Sequence, residues 1–204
     1  MRAAALGTLL LIAWSCALAA ADTLARIEAQ LVRAPVVRAS FAQERTMRVL
    51  KRPLETRGRV TAVAGQGVLW QVLEPYESTM LVSAGAILEW DGQGAPRRLE
   101  IAANPALRAL ADALLGLLTG DTGALVALFE PTPLQAEQGW RLALAPKDEA
   151  LAALIERVEL AGGRFVEEAV ISEAGGDRTA IAFDDFQTEP STLDAAEQAY
   201  FEQR

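Results

Sequence analysis

The sequence predicts an α+β domain: about ten antiparallel strands in one curled sheet, with apolar helices against its concave face. Three observations predict it. Most of the chain alternates apolar and polar residues with period two, in short runs separated by tight turns, which is the pattern of a strand meander. One central stretch, residues 105–120, drops that period for leucines around most of a helix, and such a helix must be covered on more than one side. Hydrophobic residues make up 51% of the 204 and charged residues 23%, enough apolar material for a core and too much for a disordered chain.

The N-terminus reads as a leader. Met1-Arg2 is followed by an almost purely apolar run to Ala13, then by small residues at Ala17 and Ala19 to Ala21. That order is the pattern of a secretory signal peptide over 1–21, cleaved near Ala19 or Ala21, and the run is too short for a permanent membrane span. It predicts an exported, periplasmic protein. The rival is a lipoprotein signal that lipidates Cys16, but Ala13 and Trp14 match poorly the residues such a site places before its cysteine.

The rest, 22–204, reads as a single domain. Asp22 or Thr23 caps a helix that brings Leu24, Ile27 and Leu31 to one face and ends before Pro35. Val37, Ala39, Phe41, Gln43, Arg45, Met47 and Val49 share one parity, which predicts a long strand broken near Pro53. Strands follow at 56–64, 68–73, 79–83, 86–90 and 97–101. Gly65-Gln66-Gly67, Pro75, Ala84-Gly85 and Asp91-Gly92-Gln93-Gly94 supply the turns between them. Asn104-Pro105 sets a cap before a proline at the first helical position. The helix then carries Leu107, Leu110, Leu114, Leu115, Leu117 and Leu118 to Gly120, and Arg108 and Asp112 are spaced to pair. A second short helix covers 121–129. Strands resume at 139–145, 155–161 and 164–172, with Gly162-Gly163 as a two-residue turn, and at 178–183; the tail from 193 to 201 is helical.

Composition excludes several function classes. There is no histidine, which removes the commonest general base and metal ligand, and Cys16 lies in the leader. A net charge of −8 argues against nucleic acid as a partner. No phosphate-binding loop or nucleophile elbow is present. The doublets Asp184-Asp185 and Glu167-Glu168 point to opposite faces of a strand and make no acid/base pair. These features favour binding or carrying over catalysis, and no cofactor is called for. The apolar sheet face has two readings at this point: a filled core, or a hollow with the leucine-rich helix as its lid.

A string of short motifs runs through the chain: Ala39-Ser40-Phe41-Ala42-Gln43, Gly58-Arg59-Val60, Gly67-Val68-Leu69-Trp70, Pro75, the segment 77–85, Leu88-Glu89-Trp90, Leu117-Leu118-Thr119-Gly120-Asp121, Phe129, the segment 139–146 and Gly176-Asp177-Arg178-Thr179. In this order the string resembles the periplasmic outer-membrane lipoprotein carriers, the LolA family. The resemblance implies a half-open antiparallel barrel with an apolar concave face covered by helices. It implies a carrier that holds the acyl chains of a lipoprotein or related lipid, taken from an inner-membrane donor and passed to an outer-membrane acceptor, without covalent chemistry. A monomer is the default for such a shuttle. It places Phe41, Val68, Trp70, Leu81 and Trp90 on the cavity wall and Leu110, Leu114, Leu117 and Leu118 in the lid. One departure marks a divergent member: where the family has a basic segment whose arginine ties down the lid, this chain has Val63-Ala64-Gly65, with Ala64 in the arginine's place. An anchored acceptor and a lipid-binding sensor module of the same fold are the alternatives.

Charge is unevenly spread. Residues 26–59 carry nine basic and three acidic groups, whereas 60–204 carry nine basic and twenty-three acidic. Arg45, Arg48, Lys51, Arg52, Arg57 and Arg59 gather around one expected hairpin. They read either as a charged guard on a strand edge or as a docking patch for an acidic partner or anionic headgroups.

Overall fold

The computed structural model describes residues 24–91, 95–101 and 105–203. The leader with Cys16, the expected caps at Asp22 or Thr23 and at Asn104, and most of the 91–94 turn lie outside the described residues. Helix α1 spans 24–30. Six strands follow, β1 (Val36–Thr46), β2 (Leu54–Val63), β3 (Gly67–Glu74), β4 (Ser78–Val82), β5 (Ala86–Trp90) and β6 (Arg97–Glu100). Helices α2 (Pro105–Thr119) and α3 (Gly123–Leu128) interrupt. Then come β7 (Phe129–Leu134), β8 (Trp140–Pro146), a short α4 (Glu149–Ala152), β9 (Ile155–Gly162), β10 (Val166–Glu173), β11 (Arg178–Gln187) and α5 (Ala195–Phe201).

All eleven described strands form one sheet, in the order β6-β5-β4-β3-β2-β1-β11-β10-β9-β8-β7, antiparallel throughout. Two meanders are thus zipped together where β1 meets β11, and the half-open barrel ends at β6 and β7. Register follows the alternation in β1. Val37, Ala39 and Phe41 are buried on one face, while Ala42 and Glu44 on the other are exposed.

The elements depart from the sequence pattern in instructive places. The alternation of β1 continues on paper to Val49, yet the strand stops at Thr46 and Val49 is 81% exposed. A turn closed by Leu50 N–H on Met47 O takes over, and the Arg48 N–H bonds the Asp177 carboxylate. Strand β7 went unpredicted because it contains Pro131 and Pro133, which cannot donate to a ladder; both are accommodated because β7 is an edge. The expected helix over 121–129 therefore shortens, and Phe129 becomes the buried first residue of β7. The β9–β10 connection is the three residues 163–165 rather than a two-residue turn, since Val166 pairs with Gly162. Trp140 Nε1 fixes that connection by donating to Gly163 O at 2.8 Å. Strand β11 runs to Gln187 past an irregularity at Asp185 (φ 51°), which returns Phe186 to the main core.

Helix α2 ends at Gly120, whose φ of +82° reverses the chain; a Cβ there would lie 2.5 Å from Val32 O, so the position requires glycine. Two main cores result, one on each face of the sheet, with a minor third cluster of Val82, Ile101 and Ala111 beside α2. The larger lies between the concave face and α1–α4, and the smaller lies on the opposite face of β1–β5 beneath α5.

Candidate functional site

The site is assembled by cross-strand pairing on the concave face. Ala62 faces Val68, Val60 faces Trp70, and Phe41 is flanked by Gly58 on one side and Phe183 on the other. At position 58 a Cβ would meet Gln71 O at 1.9 Å and the Phe41 ring at 2.9 Å. Its absence lets the Phe41 ring lie across the strand to within 4.3 Å of Trp70, tilted by 37°. Trp70 in turn meets Phe183 edge-on at 5.9 Å. Phe41 and Phe183 are buried and Trp70 is half-buried, so three strands present one aromatic cluster whose indole keeps an open side.

Over this face runs α2. Leu110, Leu114, Leu117 and Leu118 are spaced to form one stripe, and all four join the cluster that holds Phe41, Val68 and Trp70. Leu118 is buried, whereas Leu110, Leu114 and Leu117 are half-buried. Beside this stripe, two turns before Leu118, Ala111 is buried with Val82 and Ile101. Its C-terminal half lies beside Ala64 and Gly65, at the end of the sheet where the 64–66 turn sits. Toward the other end, near the 47–53 and 174–177 turns, Ile155, Ile171 and Ile181 on the concave face stay half-buried.

Seven of the nine expected wall and lid residues are therefore together: Phe41, Val68, Trp70, Leu110, Leu114, Leu117 and Leu118. Leu81 and Trp90 are not. Met80, not Leu81, stands opposite Trp70 and shares its face. Leu81 is buried with Leu69, Leu88 and Phe201, and Trp90 packs edge-on against Tyr200 at 5.0 Å, both under α5 on the far side of the sheet. The pleat alone forces this correction, since neighbours one residue apart point to opposite faces. Sequence reasoning missed Phe183, Ile171 and Ile181, although the shared parity of Thr179, Ile181 and Phe183 carried the signal. It also missed the parallel stack of Phe165 on Phe186 at 4.4 Å.

Ala64 makes no side-chain bond to α2. Its N–H donates to Pro35 O, and it lines a groove of about 530 Å³ with Arg33, Asp112 and Gly116. A different cation reaches the end of α2: Arg33 Nε donates to Gly120 O at 3.2 Å, favourably placed for the helix dipole. Glu28 lies 3.8 Å from Arg33 and accepts the Thr122 hydroxyl.

The expected basic cluster is divided. Arg45 pairs with Glu173 at 3.0 Å and lies 3.7 Å from Asp177, and Arg48 donates to Gly175 O. Arg57 lies 3.6 Å from Glu74. Lys51, Arg52 and Arg59 are exposed and form no ion pair among the described residues.

On the far face, Arg38 holds the C-terminal segment. It is bidentate to Glu197 at 2.8 and 2.6 Å and also donates to Pro190 O and Thr192 O. Burial pushes the Glu197 carboxyl up, but the Arg38 hydrogen bonds, the Asp194 N–H, the Thr61 hydroxyl and the Arg38 charge outweigh it, holding the carboxyl below the usual range.

The family model for LolA-like outer membrane lipoprotein carrier proteins matches residues 16–177, most of the chain, and the chain belongs to that family. No curated protein sequence matches it. Solved structures share the fold at low identity. MucB matches with a TM-score of 0.50 at 15% identity, over 88% of this chain and 62% of its own. A DUF1329 family protein from Desulfovibrio piger matches with a TM-score of 0.50 at 10% identity, over 90% of this chain and 95% of its own. A LolA superfamily protein from Nitrosomonas europaea matches with a TM-score of 0.48 at 10% identity, over 87% and 96%.

Proposed function

We propose that this LolA-like protein is a periplasmic carrier that shelters an acyl chain of a lipoprotein or related lipid between the aromatic cluster and α2, on the way from an inner-membrane donor to an outer-membrane acceptor. The observation that carries the reading is that the Leu110–Leu114–Leu117–Leu118 stripe packs on the same apolar cluster as a half-buried Trp70, an apolar packing that a lipid chain can replace. The physics requires such an exchange. Burying a methylene is worth roughly 0.8 kcal/mol, so a chain of about sixteen carbons entering an empty cavity gains on the order of 10 kcal/mol and would not be released. Displacing α2 exposes its leucines and the half-buried wall, which offsets much of that gain and leaves loading and unloading near balance. No covalent step is needed.

Native mass spectrometry of the protein purified from its own envelope tests the proposal. The expected spectrum is a processed chain beginning near Ala20 or Asp22 with a bound lipid or acylated peptide. A processed chain that carries no lipid, and takes up none when offered fatty acid, overturns the carrier reading. A covalent diacyl mass on Cys16 overturns the mobile shuttle in favour of an anchored acceptor.

A further inference from the structure

Large apolar side chains that escape burial are concentrated at one end of the sheet. In an antiparallel meander successive connections alternate between the two ends, so the β1–β2 connection (47–53), the β3–β4 connection (75–77) and the β10–β11 turn (174–177) share one end. Six of the seven most exposed large hydrophobics of the described residues lie there: Val49, Leu50, Leu54, Leu73, Tyr76 and Leu154, with Val49 at 81% and Tyr76 at 84% exposure. Leu154 belongs to this end because its carbonyl accepts the Ala174 N–H. The connections of the opposite end, 64–66, 83–85 and 163–165, hold none of the seven; the remaining one, Leu99, is on the edge strand β6.

Cations accompany them. Residues 46–54 contain Arg48, Lys51 and Arg52 and no acidic residue. Of the acidic neighbours, Glu173, Asp177 and Glu74 are engaged by Arg45, Arg48 and Arg57 and Glu55 and Glu77 are exposed, while Lys51 and Arg52 are exposed without an ion pair among the described residues.

We propose that this end docks on an anionic bilayer surface, with Val49, Leu50 and Tyr76 entering the headgroup boundary and Lys51 and Arg52 on lipid phosphates. The aliphatic tips Val49 and Leu50 are flanked by Arg48, Lys51 and Arg52, which suits the membrane interface, where apolar burial and attraction to anionic lipid add, while Tyr76 stands between Glu74 and Glu77 on the neighbouring connection. The tips stand on separate connections rather than in one groove, which fits a bilayer better than the contiguous buried centre a protein partner needs. The docking stands on these connections alone and does not depend on the carrier reading. If both hold, the half-buried Ile155, Ile171 and Ile181 lie toward the bilayer.

The test is cosedimentation of the processed protein with phosphatidylglycerol–phosphatidylcholine vesicles. Binding is expected, and it weakens with added salt. V49D/L50D and K51E/R52E each weaken binding about tenfold or more, while thermal unfolding stays unchanged because all four side chains are exposed. Leu99→Asp, exposed but away from this end, leaves binding at the parent level. Failure of the parent to bind, equal loss in Leu99→Asp, or undiminished binding by V49D/L50D overturns the proposal. Salt-sensitive binding to polyglutamate that matches the vesicle affinity and survives V49D/L50D also overturns it and makes the patch a site for acidic protein. Leu114→Glu is expected to bind vesicles like the parent, so loss of the carrier reading and loss of the docking reading are separable.

Discussion

Arg38 and Glu197 show how much one pair of side chains can organise. Arg38 places four hydrogen bonds on the C-terminal segment, two on the Glu197 carboxylate and two on the Pro190 and Thr192 carbonyls, and Glu197 also closes a capping box with Asp194. Both side chains are largely buried, so removing one partner strands the other. Arg38→Ala is expected to cost about 2–4 kcal/mol in urea unfolding at neutral pH. The pH dependence has a definite sign. Because the folded carboxyl lies below its ordinary value of about 4.3, its contribution is complete above that value and is lost as pH falls through the lower folded value. Unfolding midpoints measured from pH 7 down to 3 should fall more steeply for the parent than for Arg38→Ala; equal slopes would mean the pair does not stabilise the fold. Little of this was legible beforehand. Arg38 sat in an alternating strand and Glu197 in a helical tail, and nothing in the spacing of residues 159 apart announces their contact.

At the scale of elements, what was legible is what a local period can carry. The leucine stripe of α2, the alternation of β1 and the turn glycines all announce themselves within a few residues, and the elements formed there, with β1 ending early at Thr46 and the β9–β10 connection one residue longer than expected. Strand β7 was hidden by Pro131 and Pro133, which only the edge position excuses. Leu81 and Trp90 were assigned to the wrong face because parity had not been carried through the β3–β4 pairing, where Met80 is the partner of Trp70. Phe183 needed the long-range β1–β11 register, which no local pattern supplies. The same distinction sorts the leucines of α2. Leu118 is buried, so Leu118→Glu is expected to unfold or strongly destabilise the domain, since even truncation of such a leucine costs about 2–5 kcal/mol. Leu114 is half-buried, and its carboxylate variant can reach water when α2 is seated. Leu114→Glu is expected to keep the far-ultraviolet circular dichroism and unfolding midpoint near the parent's while weakening fatty-acid affinity at least about tenfold. Unchanged affinity in a folded Leu114→Glu protein would remove α2 from the binding site.

At the scale of the whole molecule, the sheet separates two apolar faces with different covers. One is closed by α5, tied down by the Arg38–Glu197 pair; the other is covered by α1–α4, and the C-terminal end of α2 meets Arg33 at Gly120 O and the Glu28–Thr122 bond just beyond the Gly120 turn. On the proposed carrier reading, the concave face is the one that opens. The tryptophans report on it directly, because Trp70 lies on the concave face and Trp90 on the opposite one. The decisive measurement is a titration of single-tryptophan variants with a fatty acid brominated along its chain, which quenches an indole only in contact. Saturable quenching of Trp70, with Trp90 unaffected, is the predicted result. Quenching of Trp90 with Trp70 untouched, or no saturable quenching of either, would contradict an acyl chain bound on the concave face beneath α2.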